Sequence, residues 1–237
     1  MRFLVGLACL IGVSAAAQAT DADRAKPVVE LFTSQGCSSC PPADKHLGRL
    51  AQRDDVIALS FNVDYWDYLG WRDTLAKPEF TARQRSYAVA RGDGQVYTPQ
   101  MIVNGRDHMV GGDDRALKRA LRRVRASDAV TPTIGITPVG KLARVTIGDV
   151  PAWSGQATVW VATLEKTVTT KIKRGENRGR SITYHNVVRD MTPVGVWTGG
   201  ELVLQLDPAM LMTKGTEKCV LMIQAGRTGR ILTAAWL

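Results

Sequence analysis

Cysteine is scarce in this sequence, with four residues among 237. That density is far below that of small secreted domains stapled by disulfides, and a chain of this length can bury a sizeable core without them. The sequence also lacks internal repeats and low-complexity tracts. Hydrophobic residues make up 45% and charged residues 22%, which is the usual globular mixture. Disordered, collagen-like and disulfide-scaffold classes are therefore excluded, and the length predicts one or two domains.

Long hydrophobic runs are lacking beyond the N-terminus. The apolar run Phe3–Val13 is too short for a membrane span of about 20 residues. It follows Arg2 and precedes Ala17-Gln18-Ala19, so residues 1–19 are predicted to be a secretory signal peptide. A retained N-terminal anchor is the alternative. Cleavage near Ala19 would remove Cys9 and leave a periplasmic or secreted mature chain with no transmembrane segment, in a compartment that permits disulfides.

Acidic residues are the minority charge, with 22 Asp and Glu against 31 Lys and Arg and a formal net charge of +9. The basic residues are scattered, apart from a small cluster over Lys118–Arg125 whose spacing is typical of a solvated helix face. An exported protein also rarely meets nucleic acid. We therefore expect no nucleic-acid partner.

The two halves of the chain have different patterns. Apolar runs, proline starts and turn signals predict strands and helices in the order β-α-β-α-β-β-α through residue 125. After a break near Pro132, short β-rich runs separated by glycine turns predict an antiparallel sandwich. The predicted strands of this half are 133–137, 142–147, 157–164, 168–173, 181–189, 202–206, 218–224 and 231–236.

Two of the cysteines form the motif Cys37-Ser38-Ser39-Cys40 between the first predicted strand and the first predicted helix. A helix N-terminus stabilises a thiolate, and the thiolate is the species that attacks disulfides. We assign Cys37 as the exposed nucleophile and Cys40 as the more buried resolving thiol. A structural disulfide, coincidence or half of a zinc site are the alternatives, although a cysteine-only zinc site needs a second pair.

A second candidate feature is Thr98-Pro99, immediately before the third predicted strand. A cis bond there would turn backbone groups towards an extended substrate, whereas a trans proline would simply open an edge strand. The sequence leaves the isomer open. The aromatic loop that contains Trp66 follows the second strand and could form a cleft wall, or it could be a plug that covers the sheet.

Copper handling is a further alternative, because thiolate and imidazole both suit copper. Its ligands would be the cysteine pair with His46 or His108, and Met101 and Met109 could be added. We expect no metal site. Cys219 lies in an apolar run and is expected to be a buried, inert thiol, with a third redox cysteine as the alternative. A polar loop over residues 174–180 could dock onto the cysteine face.

The first half resembles thioredoxin-fold oxidoreductases. The runs TPQMIVNG at 98–105 and GGDD at 111–114 are similar to glutaredoxin segments that hold glutathione by backbone pairing and by carboxylate binding at a helix start. This resemblance implies substrate binding by Thr98, Pro99, Gly112 and Asp113, with Trp66 beside them. Glutathione is then a possible substrate, and no cofactor is expected.

Over residues 26–237 the chain is more closely similar to a family of secreted thioredoxin-like proteins, domain of unknown function 1223. The segments that carry the similarity are ELFTSQGCSSCPP at 30–42, VDYWD at 63–67, GR at 179–180 and YHNVVR at 184–189. The expected fold is an α/β thioredoxin-like domain over residues 25–127, followed by an all-β antiparallel sandwich-like domain over residues 131–237.

These patterns lead to one functional hypothesis and two alternatives. The hypothesis is an exported thiol–disulfide oxidoreductase that exchanges disulfides with a protein or small thiol through Cys37 and Cys40, together with a redox partner protein. The first alternative is a non-catalytic binding module with a structural disulfide. The second is the copper-handling protein.

Overall fold

The structure is a computed structural model that describes residues 25–127, 129, 131–207, 211–212 and 215–237. The predicted signal peptide, residues 1–19, lies outside these ranges. Within them, no helix has the length and apolar character needed to cross a membrane.

The elements of the first half follow the predicted order, with a short 3₁₀ turn inserted at Asp67–Leu69. They are β1 (Val28–Thr33), α1 (Pro41–Leu50), β2 (Ile57–Asn62), α2 (Pro78–Arg91), β3 (Gln100–Val103), β4 (Asp107–Val110) and α3 (Asp114–Arg125). Both α1 and α2 begin at a proline, whose fixed φ suits a first turn and whose missing N–H is not needed there.

Strands dominate the described part of the second half. They are β5 (Ile134–Val139), β6 (Leu142–Ile147), β7 (Ala157–Lys171), β8 (Ser181–Trp197), β9 (Leu202–Leu206), β10 (Lys218–Ala225) and β11 (Ile231–Trp236). The predicted break between strands 157–164 and 168–173 is wrong. The pairing of β7 with β8 shifts register at Thr163/Leu164, where β8 carries the extra residue, and β7 continues without a break.

One sheet of eight strands runs through both halves in the order β11-β10-β7-β8-β2-β1-β3-β4. β1 pairs parallel with β2 and antiparallel with β3, and β4 pairs antiparallel with β3. The halves join where β8 runs parallel to β2, with Ser60 opposite Val187. β5, β6 and β9 form a separate three-stranded sheet. The molecule is therefore a mixed α/β fold with one large sheet and few helices.

The expectation of a distinct all-β sandwich-like domain needs correction, because the sheets do not form a clearly separate sandwich. Four strands of the second half extend the sheet of the first. The physical reason is that the outer edge of β2 carries backbone N–H and C=O groups that need partners, and β8 covers this edge. The predicted boundaries, 25–127 and 131–237, stay a prediction.

The apolar cores follow from this sheet. Helices α1 and α3 pack on one face of β1 and β3, where Leu31, Leu47 and Leu117 are buried together. Helix α2 packs on the other face, in a cluster shared between the two halves. That cluster includes Phe32, Phe61, Phe80 and Tyr87 from the first half and Trp160, Val188, Val220 and Met222 from the second.

A buried polar network also ties the halves together. Arg83 Nε donates to Glu30 Oε1 at 2.8 Å, and Tyr87 Oη donates to Glu30 Oε2 at 2.5 Å. Gln224 of β10 completes the network, since its Nε2 donates to Tyr87 Oη at 2.9 Å and its Oε1 accepts from Arg83 Nη1 at 3.1 Å. Glu30, Tyr87 and Gln224 are fully buried, so each polar atom depends on these partners.

Candidate functional site

The turn between β1 and α1 carries a disulfide between Cys37 and Cys40, whose Cα atoms are 5.4 Å apart. Cys37 N donates to Ser34 O and Cys40 N donates to Cys37 O, both at 3.2 Å. Cys40 is the N-cap of α1, and Pro41 opens the helix. The sequence therefore forms a tight turn that brings the two sulfurs together at the start of a helix.

The assignment of Cys37 as an exposed thiol is wrong for this disulfide form. Cys37 is 2% exposed and Cys40 is fully buried, whereas Ser38 and Ser39 between them are exposed. The helix N-terminus is also closer to Cys40 than to Cys37. Its first two positions are prolines without N–H groups, and the next N–H, of Ala43, donates to Cys40 O at 2.9 Å. Free helix N–H groups are thus not available to hold a thiolate.

The structure brings three predicted site residues next to the cysteine turn. A cavity of about 230 Å³ is lined by Ser39, Pro42, Ala43, Tyr97, Thr98, Pro99, Val110 and Gly112. The Thr98–Pro99 bond is cis. Gly111 permits this close packing, because a Cβ there would lie 2.7 Å from Ala43 Cβ and 3.1 Å from Pro99 Cβ.

Trp66 links the cysteine turn to the segment before Pro99. Its Nε1 donates to Thr98 Oγ1 at 2.7 Å, and its Cβ lies 3.0 Å from where a Cβ of Gly36 would be. Its ring stacks on Tyr68, with ring centroids 6.5 Å apart, and Tyr68 is 78% exposed. This placement fits the cleft-wall interpretation of the aromatic loop, because Trp66 donates to Thr98, which lines the cavity.

Asp113 does not line the cavity but caps α3. Its side chain accepts from Ala116 N at 2.8 Å. The next residue, Asp114, adds a second carboxylate that pairs with Lys118 at 2.6 Å, which lowers the pKa of Asp114. His46 of α1 bridges to the same place, through Asp114 at 3.5 Å. The helix start beside Gly112 is therefore occupied by its own carboxylates.

One residue of the polar loop touches the cysteine turn from the second half. Asn177, in the loop between β7 and β8, is 1% exposed. Its Nδ2 donates to Cys37 O at 2.8 Å and to Gln35 O at 3.0 Å, and its Oδ1 accepts from Arg180 Nη1 at 3.1 Å. The docking suggested for the polar loop 174–180 does occur, but no local signal marked Asn177 as its contact.

Two buried carboxyl groups lie near the cysteine turn and were also missed. Asp44 accepts from Thr33 Oγ1 at 2.7 Å, its Oδ2 has no hydrogen-bond partner among the described residues, and burial raises its pKa to about 8. Asp73 accepts from Gln35 N at 2.7 Å and from Asn62 Nδ2 at 2.9 Å, and burial raises its pKa as well. Asp44 lies one helical turn after Cys40, which was the available signal.

The residues considered for copper occupy separate networks. His108 Nε2 is 3.1 Å from Asp93 Oδ2, its Nδ1 is 3.1 Å from Tyr97 Oη, and burial lowers its pKa. His46 Nδ1 is 3.2 Å from Gly111 O. In the described part of the chain, no three or more His, Cys, Asp or Glu side chains are grouped to hold a metal ion.

Cys219 is a buried free thiol. Its Sγ donates to Met212 Sδ at 3.3 Å, and burial raises its pKa. A raised pKa lowers the thiolate fraction and hence the reactivity of the sulfur. The structure therefore agrees with the inert thiol that the sequence predicted.

The comparisons with known proteins fit this geometry. A family model described as "Protein of unknown function (DUF1223)" matches residues 28–224. The chain belongs to the DUF1223 family. The crystal structure of protein AGR_C_4864 from Agrobacterium tumefaciens is similar, with a TM-score of 0.78 and 36% sequence identity. The match covers 94% of this chain and 96% of that chain.

A more distant structure shares the fold. HBP35 of Porphyromonas gingivalis is 13% identical, with a TM-score of 0.64 over 90% of this chain and 74% of that chain. No curated protein sequence matches the chain. The family-model match establishes the family, the two structures show the fold, and none of them carries an activity to this protein.

Proposed function

We propose that this DUF1223 protein is an exported thiol–disulfide oxidoreductase that acts through Cys37 and Cys40. The observation that carries the proposal is the disulfide in the β1–α1 turn, next to an open cavity lined by Ser39, Thr98 and Pro99. A pair of cysteines separated by two residues can form and resolve a mixed disulfide without a third group.

The arrangement of the first half supports a thioredoxin-like interpretation of residues 25–127. Its four strands have the order β2-β1-β3-β4, with β1 parallel to β2 and antiparallel to β3. Helices α1 and α3 cover one face and α2 the other. This layout places the cysteine turn beside the loop before β3 and the start of α3, which are the regions that the sequence assigned to substrate binding.

The reaction proceeds in two balanced steps. In the oxidising direction, a substrate thiolate attacks one sulfur of the Cys37–Cys40 disulfide, which forms a mixed disulfide with Cys37 and releases Cys40 as a thiolate that takes up a proton. A second substrate thiolate then displaces Cys37. The substrate leaves as a disulfide, both cysteines are reduced, and a partner protein must reoxidise them.

The start of α3 borders the cavity beside the cysteine turn. Asp113 caps this helix, and Asp114 pairs with Lys118. We propose a cysteine-bearing polypeptide segment as substrate, held by the cavity beside Thr98, Pro99 and Gly112 and bordered by Trp66, with glutathione as the small-thiol alternative.

Trapping variants test this function. In the exporting cell, Cys37 of a Cys40→Ser variant can still attack a substrate disulfide, which is the reverse of the second step. Mixed disulfides through Cys37 should then accumulate, because Cys40 is not there to displace the substrate. Cys37→Ser should accumulate far fewer, and Cys219→Ser should behave as the wild type. The reduction potential of purified protein is the second measurement. A disulfide that stays unreactive at potentials well below about −300 mV, with no trapped species, would refute catalysis.

One observation favours a second candidate, a binding module with a structural disulfide. Both cysteines are buried, with 2% of Cys37 and none of Cys40 exposed, and structural disulfides are commonly inaccessible and hard to reduce. The same potential and trapping measurements separate the two functions. No contact among the described residues favours the copper alternative.

A further inference from the structure

The side-chain amide of Asn177 donates hydrogen bonds to the backbone of the turn that carries the disulfide. Its two N–H groups are both used, one on Cys37 O at 2.8 Å and one on Gln35 O at 3.0 Å. Asn177 is 1% exposed, so water does not replace these bonds. The carbonyl of Cys37 therefore has two donors, Asn177 Nδ2 and Cys40 N, the latter at 3.2 Å.

The orientation of this amide is fixed from its other side. Arg180 Nη1 donates to Asn177 Oδ1 at 3.1 Å. A flipped amide would direct Oδ1 at the carbonyls of Cys37 and Gln35 and leave Arg180 facing an NH₂ group. Only one orientation satisfies all three contacts. Asn177 is thus held as a double donor to the cysteine turn.

The loop that carries Asn177 is itself docked and locally ordered. Gly175 has a φ of +72°, and a Cβ there would lie 3.2 Å from Trp71 Cβ, so the loop packs closely on the aromatic segment. Arg180 N donates to Asn177 O at 3.1 Å, and Gly179 N donates to Ile172 O at 2.9 Å. The amide is therefore presented by a formed turn at the end of the β7–β8 hairpin.

The same side of the cysteine turn is held by a second set of contacts. Gln35 N donates to Asp73 Oδ2 at 2.7 Å, while Gln35 Oε1 accepts from Trp71 Nε1 at 2.9 Å and from Thr74 N at 3.3 Å. The opposite side, with Ser38 and Ser39, is exposed. Protein contacts thus hold the residues before the disulfide, whereas Ser38 and Ser39 stay exposed.

We infer that Asn177 is a positioning residue, which holds the Cys37 carbonyl so that Cys37 keeps facing Cys40 after reduction. Two thiols held close together have a high effective concentration, and this shifts the equilibrium from dithiol towards disulfide. The β7–β8 hairpin would therefore set how reducing the pair is. This role gains its biological meaning from the proposed exchange reaction, but the equilibrium itself can be measured without a natural substrate.

The test is equilibration with glutathione, in which the protein disulfide and two glutathione thiols give the protein dithiol and one glutathione disulfide. The two thiol protons end on Cys37 and Cys40. For Asn177→Ala we expect the equilibrium constant for disulfide formation to fall about tenfold, equivalent to a potential about 30 mV less negative. For Asn177→Asp the equilibrium constant for disulfide formation should fall further, because the new side chain directs a carboxylate at two carbonyls.

Matched controls lie in the same hairpin. Thr169 is exposed, and its hydroxyl pairs with Thr183 across the two strands, at 2.9 Å. Thr169→Val should leave the potential within error of the wild type. Arg180→Ala should shift it in the same direction as Asn177→Ala but by less, because the amide keeps its donors and loses only the contact that orients it.

The unfolding free energies of the oxidised and reduced forms separate positioning from simple stabilisation. Asn177→Ala should destabilise the oxidised form more than the reduced form when both are compared with wild type. Equal losses, with an unchanged potential, would refute the positioning role. If Asn177→Ala fails to fold, the potential of Arg180→Ala is the deciding measurement. An unchanged potential in Arg180→Ala would also refute the positioning role of Asn177.

The two proposals fail in different ways. A wild-type protein that neither traps partners nor exchanges with protein disulfides refutes the oxidoreductase function. The potential difference between wild type and Asn177→Ala can still be measured in that case, with dithiothreitol as the reductant. An active wild type whose potential is unaffected by Asn177→Ala refutes only the positioning role.

Discussion

Replacing Asp44 with asparagine should remove a large part of the pH dependence of folding. Asp44 is 2% exposed, and burial raises its pKa from 3.8 to about 8. The folded protein therefore keeps a proton that the unfolded chain releases above about pH 4. Because the folded state binds more protons in this range, stability falls as pH rises from about 4 to about 8 and then levels off.

The magnitude follows from the shift. Between 3.8 and about 8, each pKa unit is worth about 1.4 kcal/mol, so the wild type loses at most about 6 kcal/mol from this group. Asparagine keeps an oxygen to accept the Thr33 hydroxyl, which donates to Asp44 Oδ1 at 2.7 Å. It carries no charge at any of these pH values. The unfolding free energy of Asp44→Asn, relative to that of the wild type, should therefore rise steadily up to about pH 8.

The assay is urea unfolding from pH 4 to pH 9, with the Cys37–Cys40 disulfide intact in every sample. The quantity to plot is the difference in unfolding free energy between Asp44→Asn and wild type. Asp54→Asn, at an exposed position after α1, is the matched control and should give a nearly flat difference. A flat line for Asp44→Asn as well would refute the reasoning, since it would mean that the Asp44 carboxyl ionises normally in the folded state.

Three further substitutions probe other parts of the structure. Gln224→Leu should lower the unfolding free energy by about 2–3 kcal/mol in urea, because buried partners lose their hydrogen bonds, and a loss below about 0.5 kcal/mol would contradict this. Gly111→Ala should cost about 1–3 kcal/mol in the same assay. Its control, Gly112→Ala, adds a Cβ with no atom within 4 Å, and equal losses would count against the close packing. Trp66→Phe removes the bond to Thr98 and should lower kcat/KM for a protein disulfide about three- to tenfold, consistent with about 1 kcal/mol; unchanged kinetics would remove Trp66 from the site.

The local elements were predictable because their signals are local. Pro41 and Pro78 mark the first residues of α1 and α2. Asn104-Gly105 predicts the β3–β4 hairpin, and both residues have positive φ, at 46° and 69°. Alternation and turn residues likewise placed most strands of the second half. The pairing of β8 with β2 could not be predicted in this way, because it depends on residues far apart in the chain, such as Ser60 and Val187.

The candidate site also combines features that local sequence predicts with features that depend on distant residues. The element order alone brings the cysteine turn, Pro99 and Gly112 to one place, and Ser39 of that turn lines one cavity with Pro99 and Gly112. The burial of Cys37 was not predictable, because the motif carries no signal of the packing around it. Asn177 was not predictable as its contact either, since one amide among several polar residues in a loop carries no periodic or spacing signal.

The joining of β8 to β2 also bears on the order in which the finished structure can form. Synthesis runs from the N-terminus, and Asn177 lies 140 residues after Cys37. Until that part is made, the edge of β2 is unpaired, and such edges are prone to wrong association. Cys37 and Cys40 are three residues apart and can pair as soon as both have emerged. The disulfide can thus form before the β7–β8 hairpin that later holds its turn. In a nascent chain the cysteine pair therefore lacks the contact with Asn177 that it has in the completed chain.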